Sequence, residues 1–448
     1  MSVRSLVLAL PVTAAALVVQ TMVTVPTGIA PADATPAPRD AAAATQTWGP
    51  VKTIAGNPRG ESIVVDALNN TTIVWGTSWT GSSPRSILAL RRSASGRWGT
   101  PVVIGRGYAP KVAADGRGNV TVVWLTQRAG FTDGVATARR PVGGHWSEPQ
   151  RLSRDLRVPG YPNDGEETYG AAEVDLAVSP HGAAVAAWSW GSDARDKPWR
   201  IRSAYRPAGG HWGDQVDVTP ASQARHPRVG IDARGTVVLV YGRQPFGHPQ
   251  ALKSRLRRVG AGWTQVSTVA AEGYEHSLTV DRAGNAVVVF TPNFNRVKAA
   301  YRPTGRRWRS ALALSPKGVS IADYALAMNG RGTALVAMAR DDGRVDLTKR
   351  PPRGPWSAPA CVAGAGAVVF DVLVALNGNG DTFVGWGGYA LYGKYRPHGG
   401  SWSGRFTLSP DAGVEVLEES FAEVAPRGDA VVMWKQEERP LKVRWMTP

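Results

Sequence analysis

The sequence has very little cysteine and few Met or Phe side chains. Of its 448 residues only Cys361 is a cysteine, while 6 are Met and 8 are Phe. A single cysteine excludes an intramolecular disulfide, and its distance from the N-terminus argues against a lipoprotein attachment site. No segment beyond residue 46 shows sustained helical periodicity, so a helical fold is not expected.

Gly, Pro and Trp are abundant instead. The chain has 51 Gly, 33 Pro and 17 Trp, and 43% of its residues are hydrophobic. This apolar content is enough to bury a large core. The profile is typical of short strands joined by many turns. The length allows two or three ordinary domains or one large repeat domain.

The N-terminus contains a long apolar run. Arg4 precedes the apolar stretch Leu6–Val23, and Ala32-Asp33-Ala34 offers a small-x-small cleavage site. We therefore expect a signal peptide over residues 1–34, an Ala/Pro-rich linker over 35–46, and a secreted, extracellular protein. Once the signal is cleaved, no membrane span is expected; an uncleaved anchor is the alternative.

The net charge is strongly positive. The 52 Lys and Arg exceed the 35 Asp and Glu, which gives +17 at pH 7. A positive charge of this size is one feature of proteins that bind nucleic acids. Much of the Arg, however, recurs at one position of a repeat, which is typical of a scaffold. We expect no intracellular nucleic-acid partner.

A tryptophan recurs along the chain at regular intervals. It ends the motif Arg206-Pro-Ala-Gly-Gly-His-Trp212, which returns in degraded form. The motif tryptophans are Trp48, Trp98, Trp146, Trp212, Trp263, Trp308, Trp356 and Trp402. Their separations are 50, 48, 66, 51, 45, 48 and 46 residues. The chain therefore contains an internal repeat, in which one unit is longer than the others.

Each repeat unit predicts four short strands. After the Trp strand comes an apolar strand ending in Asp or Asn, then a Gly-containing turn such as Asp281–Asn285. A β-branched strand such as Ala286–Phe290 follows, and then a strand ending in Arg-Pro, as in Ile201–Pro207. The turns have the residues that tight hairpins need. Four strands per unit, repeated in series, predict the blades of a β-propeller.

We therefore predict an all-β fold, an eight-bladed β-propeller of four-stranded blades over residues 47–448. The N-terminal strand, Thr47–Ile54, is expected to complete the last blade and close the ring, which removes exposed sheet edges. A seven-bladed ring with one unit misread is the alternative. We expect the protein to be a monomer.

Most recurrent residues have structural explanations. The motif tryptophans are expected to pack between blades, and Asp66, Asp115, Asp232 and Asp281 to cap turns. The residues at the end of each second strand should form a matching buried layer. They are Trp75, Trp124, Trp188, Tyr241, Phe290, Met338, Trp386 and Trp434.

The repeat pattern resembles a known group of proteins. Val-x-Val-Asp-x-x-Gly-Asn-Ala-Val-Val-Val-Trp with Arg-Pro-x-Gly-Gly-x-Trp is similar to secreted β-propellers of high-GC Gram-positive bacteria, some of them described as sialidase-like. The resemblance covers residues 47–448 and implies architecture. Sialidase Asp-boxes and the Arg-Ile-Pro motif are absent, so no catalytic residue is implied at any position.

Unit three breaks the repeat, because it is about 18 residues longer than the others. The insertion Arg154–Gly170 joins an outer strand to the next inner strand, and the loop Ser189–Trp199 joins the second strand to the third. Antiparallel order places both loops on one face of the ring, which we call the variable face. The Asp-Gly and Gly-Gly turns share the opposite face, the turn face.

The two loops of unit three supply the predicted ligand site, since exposed aromatic rings stack on sugars and carboxylates accept hydrogen bonds from hydroxyls. The predicted ligand-binding residues are Tyr161, Asp164, Glu166, Glu167, Tyr169, Trp190, Asp193 and Trp199. The ligand is expected to be a glycan or a peptide. No cofactor is expected, although Asn163–Glu167 has hard oxygen donors that suit Ca²⁺. The alternative without a ligand is a solvated acidic loop whose Trp side chains pack on the blade beneath.

Fainter candidates lie on the same face in units four and five. They are His226, the cluster Glu272, Tyr274, Glu275 and His276, and the loop Asn293–Arg296. A glycoside hydrolase or lyase could pair Asp164, Glu166 or Glu167 with Glu272 or Glu275 across the channel. The sequence favours a non-catalytic module and keeps this enzyme as an alternative.

The turn face suggests a third function. An Arg recurs near the end of the third strand, and symmetry would arrange these residues in a ring. The ring comprises Arg92, Arg140, Arg206, Arg258, Arg302, Arg350 and Arg396. It could attract a cell-wall polyanion, or each Arg could stack on its own blade as part of the scaffold.

Overall fold

The computed structural model describes residues 46–78, 85–128, 131–153, 170–191, 199–292, 296–365, 368–409, 417–436 and 439–447. Within these ranges the chain forms 33 β-strands and no helix. It follows that the described residues include no helix long and apolar enough to cross a membrane. The all-β prediction is confirmed.

The strands form eight antiparallel sheets, the blades of an eight-bladed β-propeller. The inner strands are β3 (Arg59–Val65), β7 (Tyr108–Ala114), β11 (Gly170–Val178), β15 (Ala224–Ile231), β19 (Tyr274–Val280), β23 (Ile321–Met328), β27 (Asp371–Leu376) and β31 (Leu417–Val424). The second strands are β4 (Thr71–Gly76), β8 (Val120–Arg128), β12 (Ala184–Gly191), β16 (Val237–Arg243), β20 (Ala286–Thr291), β24 (Ala334–Arg340), β28 (Thr382–Gly387) and β32 (Ala430–Gln436).

The other two strands of each blade lie towards the rim. The third strands are β5 (Ser86–Arg92), β9 (Phe131–Arg140), β13 (Arg200–Arg206), β17 (Ala251–Arg257), β21 (Lys298–Arg302), β25 (Val345–Arg350), β29 (Leu391–Arg396) and β33 (Leu441–Thr447). The outer strands of the first seven blades are β6 (Val102–Arg106), β10 (Gln150–Arg151), β14 (Val216–Asp217), β18 (Ser267–Ala270), β22 (Leu312–Ala313), β26 (Ala360–Ala363) and β30 (Phe406–Thr407).

The two ends of the chain meet in the eighth blade. Its outer edge is formed by β1 (Thr47–Trp48) and β2 (Lys52–Ala55), and both pair with β33. The predicted closure and the count of eight are therefore confirmed. The predicted continuous strand is interrupted between β1 and β2, where Gly49 O accepts a hydrogen bond from Arg444 Nε at 2.7 Å.

The core consists of eight layers, each between two neighbouring blades. Every layer contains one half-buried motif tryptophan, so the prediction that these residues pack between blades is confirmed. The side chains at the ends of the second strands are buried as predicted. Because aromatic side chains bury large apolar areas, this arrangement stabilises the blade contacts.

The outer strands begin later than predicted. Trp98 forms only an isolated bridge with Arg92, and β6 begins four residues after it, at Val102. The same four-residue delay holds in the other units, for example from Trp263 to Ser267. After the Gly-Gly turn the chain touches the third strand once and then diverges before it pairs with the middle of that strand.

The aspartates at the inner-strand ends cap turns, as predicted. Asp115 Oδ1 accepts hydrogen bonds from the backbone N–H groups of Arg117 and Asn119, both at 2.9 Å. Gly118 completes this turn at φ 86°, a conformation that favours glycine. A turn with the same backbone hydrogen bonds follows the last inner strand, although Ala425 there has no capping side chain.

Candidate functional site

Most of the predicted site in unit three lies outside the described residues. This holds for Tyr161, Asp164, Glu166, Glu167, Tyr169 and Asp193, for the calcium candidate Asn163–Glu167, and for residues 293–295. Two of the predicted ligand-binding residues, Trp190 and Trp199, are described.

The predicted loop position of Trp190 is wrong. β12 continues to Gly191, and Trp190 lies in this strand with 8% of its surface exposed. The Arg202 guanidinium covers the indole at 4.5 Å from the ring centroid, and Asp217 holds Arg202 through a 2.7 Å hydrogen bond. Pairing with the third strand therefore extends β12 and places this ring in the core.

Trp199 lies at the end of the loop that was predicted. It is half-buried, and its ring is stacked with the Arg225 guanidinium at 4.4 Å. Its backbone carbonyl accepts hydrogen bonds from Ser222 N at 3.1 Å and Ala224 N at 3.0 Å. These contacts join it to the beginning of β15, beside the central channel.

The inner strands have a recurrent irregularity near the variable face. In the first five blades the pairing register shifts at the start of the inner strand, as in a β-bulge. The residue at the shift has a positive φ: Gly60 (61°), Ala109 (49°), Glu173 (49°), His226 (55°) and Glu275 (42°). Non-glycine residues rarely adopt this conformation, and such strain concentrates at functional sites.

The equivalent position can be identified in every unit, six residues before the residue that begins the turn. In the last three blades Asp323, Asp371 and Glu419 occupy it. Six consecutive blades therefore carry an ionisable residue there. We call this set the mouth ring: Glu173, His226, Glu275, Asp323, Asp371 and Glu419. Because inner strands line the central channel of a propeller, the ring surrounds its opening on the variable face.

Glu173 and His226 form the closest contact in the mouth ring. Glu173 Oε1 lies 2.6 Å from His226 Nδ1, and Glu173 Oε2 accepts a hydrogen bond from His226 N at 2.9 Å. Burial opposes ionisation of Glu173, but the hydrogen bonds and charge of His226, with Arg228, lower its pKa to about 2. Both side chains remain partly exposed, so the pair is accessible from the channel.

Buried ionisable groups lie beneath this pair. Burial and the charges of Arg228 and His226 lower the pKa of His276 to about 3, so this imidazole is neutral at pH 7. Burial lowers the pKa of Lys111 and Arg228 lowers it further, while Asp175 is the leading carboxylate that opposes the shift. Asp175 Oδ2 also accepts a hydrogen bond from Val229 N at 2.8 Å, which connects blades three and four.

Carboxyl groups predominate on the other side of the mouth. Burial and the neighbouring charge of Asp371 raise the pKa of Asp323 well above its ordinary value. Burial also raises the pKa of Asp371, to about 6, against a hydrogen bond donated by Ser420. Burial and the adjacent Glu61 carboxyl raise the pKa of Glu419. These carboxyl groups can therefore both donate and accept hydrogen bonds near neutral pH.

An exposed aromatic pair adjoins this acidic side. Phe370 directly precedes Asp371, and Tyr389 lies in the turn between β28 and β29. The two rings are 43% and 41% exposed, and their centroids are 6.2 Å apart at 82°. Exposed aromatic rings beside hydrogen-bonding side chains are suitable for a ligand with both apolar and polar faces. We call this pair the aromatic platform.

The fainter sequence candidates of unit five separate in the structure. Glu275 lies in the mouth ring and His276 is buried beneath it, whereas Glu272 is exposed in the preceding loop. The Tyr274 hydroxyl accepts a hydrogen bond from Gln250 N at 3.3 Å. The predicted pairing of Glu272 or Glu275 with a unit-three carboxylate involves residues that are not described.

The Arg positions on the turn face are mainly structural. Spacing from Trp263 makes Arg257 the equivalent residue in unit four, so the assignment of Arg258 was wrong by one position. Arg257 stacks on Tyr205 at 3.8 Å and Arg350 on Tyr301 at 3.5 Å, while Arg206 is 5% exposed. Stacked and buried guanidinium groups favour the scaffold interpretation over a ring that attracts polyanions.

No group of three or more His, Cys, Asp or Glu side chains within the described ranges has an arrangement that could hold a metal ion.

The mouth ring was not identified from the sequence, although a signal was present. The spacing of the motif tryptophans reports only the length of each unit, and it distinguishes unit three alone. Aligning the units on their turns instead shows the acidic or His residue six positions earlier. The repeat requires no charge there, since Gly60 and Ala109 occupy the position in two blades.

Solved structures of the same general shape are known. The chain is similar to the BP39L lectin from Burkholderia pseudomallei, with 15% identity over 79% of this chain and 100% of that one, and a TM-score of 0.54. It is also similar to the Dos1 propeller, with 9% identity over 90% and 95% of the two chains and the same TM-score. At these identities the similarity concerns the fold alone. No protein-family model and no curated protein matches the chain.

Proposed function

We propose that this protein is a secreted, non-catalytic binding protein whose ligand is a carbohydrate held at the channel mouth on the variable face. The observation that carries the proposal is the mouth ring, six ionisable side chains at one equivalent position of the inner strands in consecutive blades. The scaffold does not require an ionisable residue at this position, because Gly60 and Ala109 occupy it in two blades. The ionisable residues in the other six blades therefore support a role in recognition.

The chemistry of the mouth suits a hydroxyl-rich ligand. Ionised Glu173 can accept hydrogen bonds from hydroxyl groups, and charge-assisted bonds of this kind are strong. Asp371, with a pKa near 6, can donate as well as accept. The aromatic platform beside Asp371 offers an apolar surface to the face of a sugar ring. A lectin with the same fold is consistent with this ligand class.

The proposal places the primary contacts deeper than the loops of unit three. Those loops remain candidates for further contacts around the same opening, because Trp199 lies beside the beginning of β15. The proposal includes export from the cell. It is supported by the apolar run near the N-terminus and by the small-x-small cleavage site that follows this run.

A glycan array tests this function. Wild-type protein should bind a defined set of glycans, and a Phe370→Ala/Tyr389→Ala double variant should bind the same set at least tenfold more weakly. Leu68→Ala, an exposed apolar residue of a turn on the other face, is the control and should leave binding unchanged. Absence of any glycan signal, or equal binding by all three proteins, would overturn the proposal.

A glycoside hydrolase is the second candidate, and the Asp323–Asp371 pair is the observation that favours it. Adjacent carboxyl groups with raised pKa values can divide acid and base roles. Turnover of aryl-glycosides that disappears in Asp371→Asn, with binding retained, would establish this activity. Binding without turnover would exclude the substrates tested.

A further inference from the structure

A cleft opens between the first and second blades on the turn face, opposite the channel mouth. Its volume is about 260 Å³, and its walls include Arg91 from β5, Arg140 from the end of β9, and Trp146. The turn at Gly143 and Gly144 forms part of its rim. The cleft shares no residue with the mouth ring or the aromatic platform.

The cleft contains more positive charge than its neighbours balance. Arg91 Nη2 lies 3.7 Å from Asp66 Oδ2, which is the nearest carboxylate partner. Burial lowers the pKa of Arg140 and the charge of Arg91 lowers it further, so the two guanidinium groups repel each other. Two cations therefore face one carboxylate in a partly enclosed space.

Donor groups in the cleft also lack acceptors. Arg91 Nε and Arg140 Nη1 are shielded from solvent and have no hydrogen-bond partner. Buried guanidinium donors are normally satisfied, because leaving them unpaired is costly. An oxyanion in the cleft would lie against the two guanidinium groups that line it, whose planar geometry suits carboxylate, sulfate and phosphate oxygens.

The next interface provides an internal comparison. Arg206 is equivalent to Arg140, and its Nη2 donates to Thr121 Oγ1 at 3.1 Å and to Gly182 O at 3.4 Å. Its guanidinium also stacks on Trp212 at 5.3 Å. The Arg206 Nη2 group thus has acceptors between blades two and three. Between blades one and two, Arg140 lines the cleft and its Nη1 has no hydrogen-bond partner.

We propose that this cleft binds the oxyanion group of a small acidic ligand. A water molecule takes about 30 Å³ of liquid volume, so the cleft has room for a monosaccharide that carries a carboxylate or sulfate, as well as for a free inorganic oxyanion. The net charge of +17 favours approach of such ligands. The site is separate from the proposed glycan site and does not depend on it.

Titration calorimetry on the full chain tests the site with sodium sulfate, sodium phosphate and sodium glucuronate, at ionic strength held constant with NaCl. We expect saturable one-to-one binding of at least one oxyanion, no comparable binding of glucose, and at least tenfold weaker binding by Arg140→Gln. Tighter binding of glucuronate than of the inorganic ions would identify a sugar acid; the reverse order would identify a free oxyanion.

Arg234→Gln is the control, because it removes one exposed charge from the Asp232 turn of the fourth blade, away from the cleft. It should retain wild-type affinity. Should Arg140→Gln fail to fold, as judged from its melting curve, Arg91→Gln carries the same expectation. Equal weakening by the cleft and control variants, or no saturable binding by wild type, would overturn the proposal.

Discussion

At the residue scale, the informative feature is backbone strain at the mouth. Glu173, His226 and Glu275 have positive φ values that cost L-residues roughly 1–2 kcal/mol each. Gly60 shows that glycine is compatible with the same position. Retaining charged residues there is consistent with selection for recognition at the expense of stability.

Replacing Glu275 by Gly should therefore raise stability and impair function. Relief of strain should exceed the extra entropy cost of glycine and stabilise the fold by about 0.5–1 kcal/mol. Urea denaturation measures this change, and glycan binding should weaken. Ala109→Gly is the control, since it relieves similar strain without removing a mouth-ring group. A loss of stability in both variants would refute the strain argument.

Asp371 should make stability depend on pH. Its folded pKa, about 6, lies above the ordinary value near 4, so the folded state binds a proton that the unfolded state does not bind between these values. The contribution of Asp371 to stability should therefore rise as pH falls from about 7 to 4, while that of His276, whose pKa is lowered to about 3, falls over the same range. Thermal melts of wild type and Asp371→Asn should differ by this contribution, and a difference between the two proteins that does not change with pH would show that Asp371 does not titrate in this way.

At the element scale, strand and turn structure position the aromatic platform. Phe370 N donates to Gly387 O at 2.8 Å, which fixes the segment before β27 against the end of β28. A Cβ atom at Gly388 would lie 2.5 Å from Val368 O and 3.4 Å from Phe370 Cδ2. The turn thus requires glycine for close backbone approach.

Gly388→Ala should displace this platform without removing either ring. We expect glycan affinity to fall by about threefold to tenfold, with a modest decrease in melting temperature. Gly378→Ala, where a Cβ meets nothing within 4 Å, is the control and should have wild-type affinity. Wild-type affinity in Gly388→Ala would argue that the platform does not contact the ligand.

The sequence predicted elements well where repetition averaged out local ambiguity. The Trp period and the turn residues were sufficient for four strands, eight blades and closure by the N-terminal segment. Trp190 was misplaced because cross-strand pairing, not local composition, determines where β12 ends. The mouth ring was missed because strands far apart in sequence bring together residues that look isolated along the chain.

At the scale of the whole molecule, ring closure joins residues from the two ends of the chain. Lys435 Nζ lies 3.9 Å from Glu61 Oε1 and donates to Pro58 O at 3.1 Å, with both side chains almost fully buried. The same interface contains the core layer of Trp98 and Trp445, whose ring centroids are 4.5 Å apart. This ion pair therefore connects the last blade to the first.

Breaking this pair should destabilise the whole ring. Lys435→Met leaves the Glu61 carboxyl buried without its cationic neighbour, which should cost about 3–5 kcal/mol. The double variant Lys435→Met/Glu61→Leu should recover much of the loss, because no buried charge remains in the pair. Denaturant unfolding of the four proteins provides this double-mutant cycle, and strictly additive losses would show that the two residues do not interact.

The most direct test of the central claim is a crystal structure of the protein with a glycan selected on the array. The account predicts a sugar ring against Phe370 and Tyr389, with hydroxyl groups within hydrogen-bonding distance of mouth-ring carboxylates such as Asp371. A glycan bound only on the turn face or the outer rim, with the mouth ring free of ligand, would contradict it.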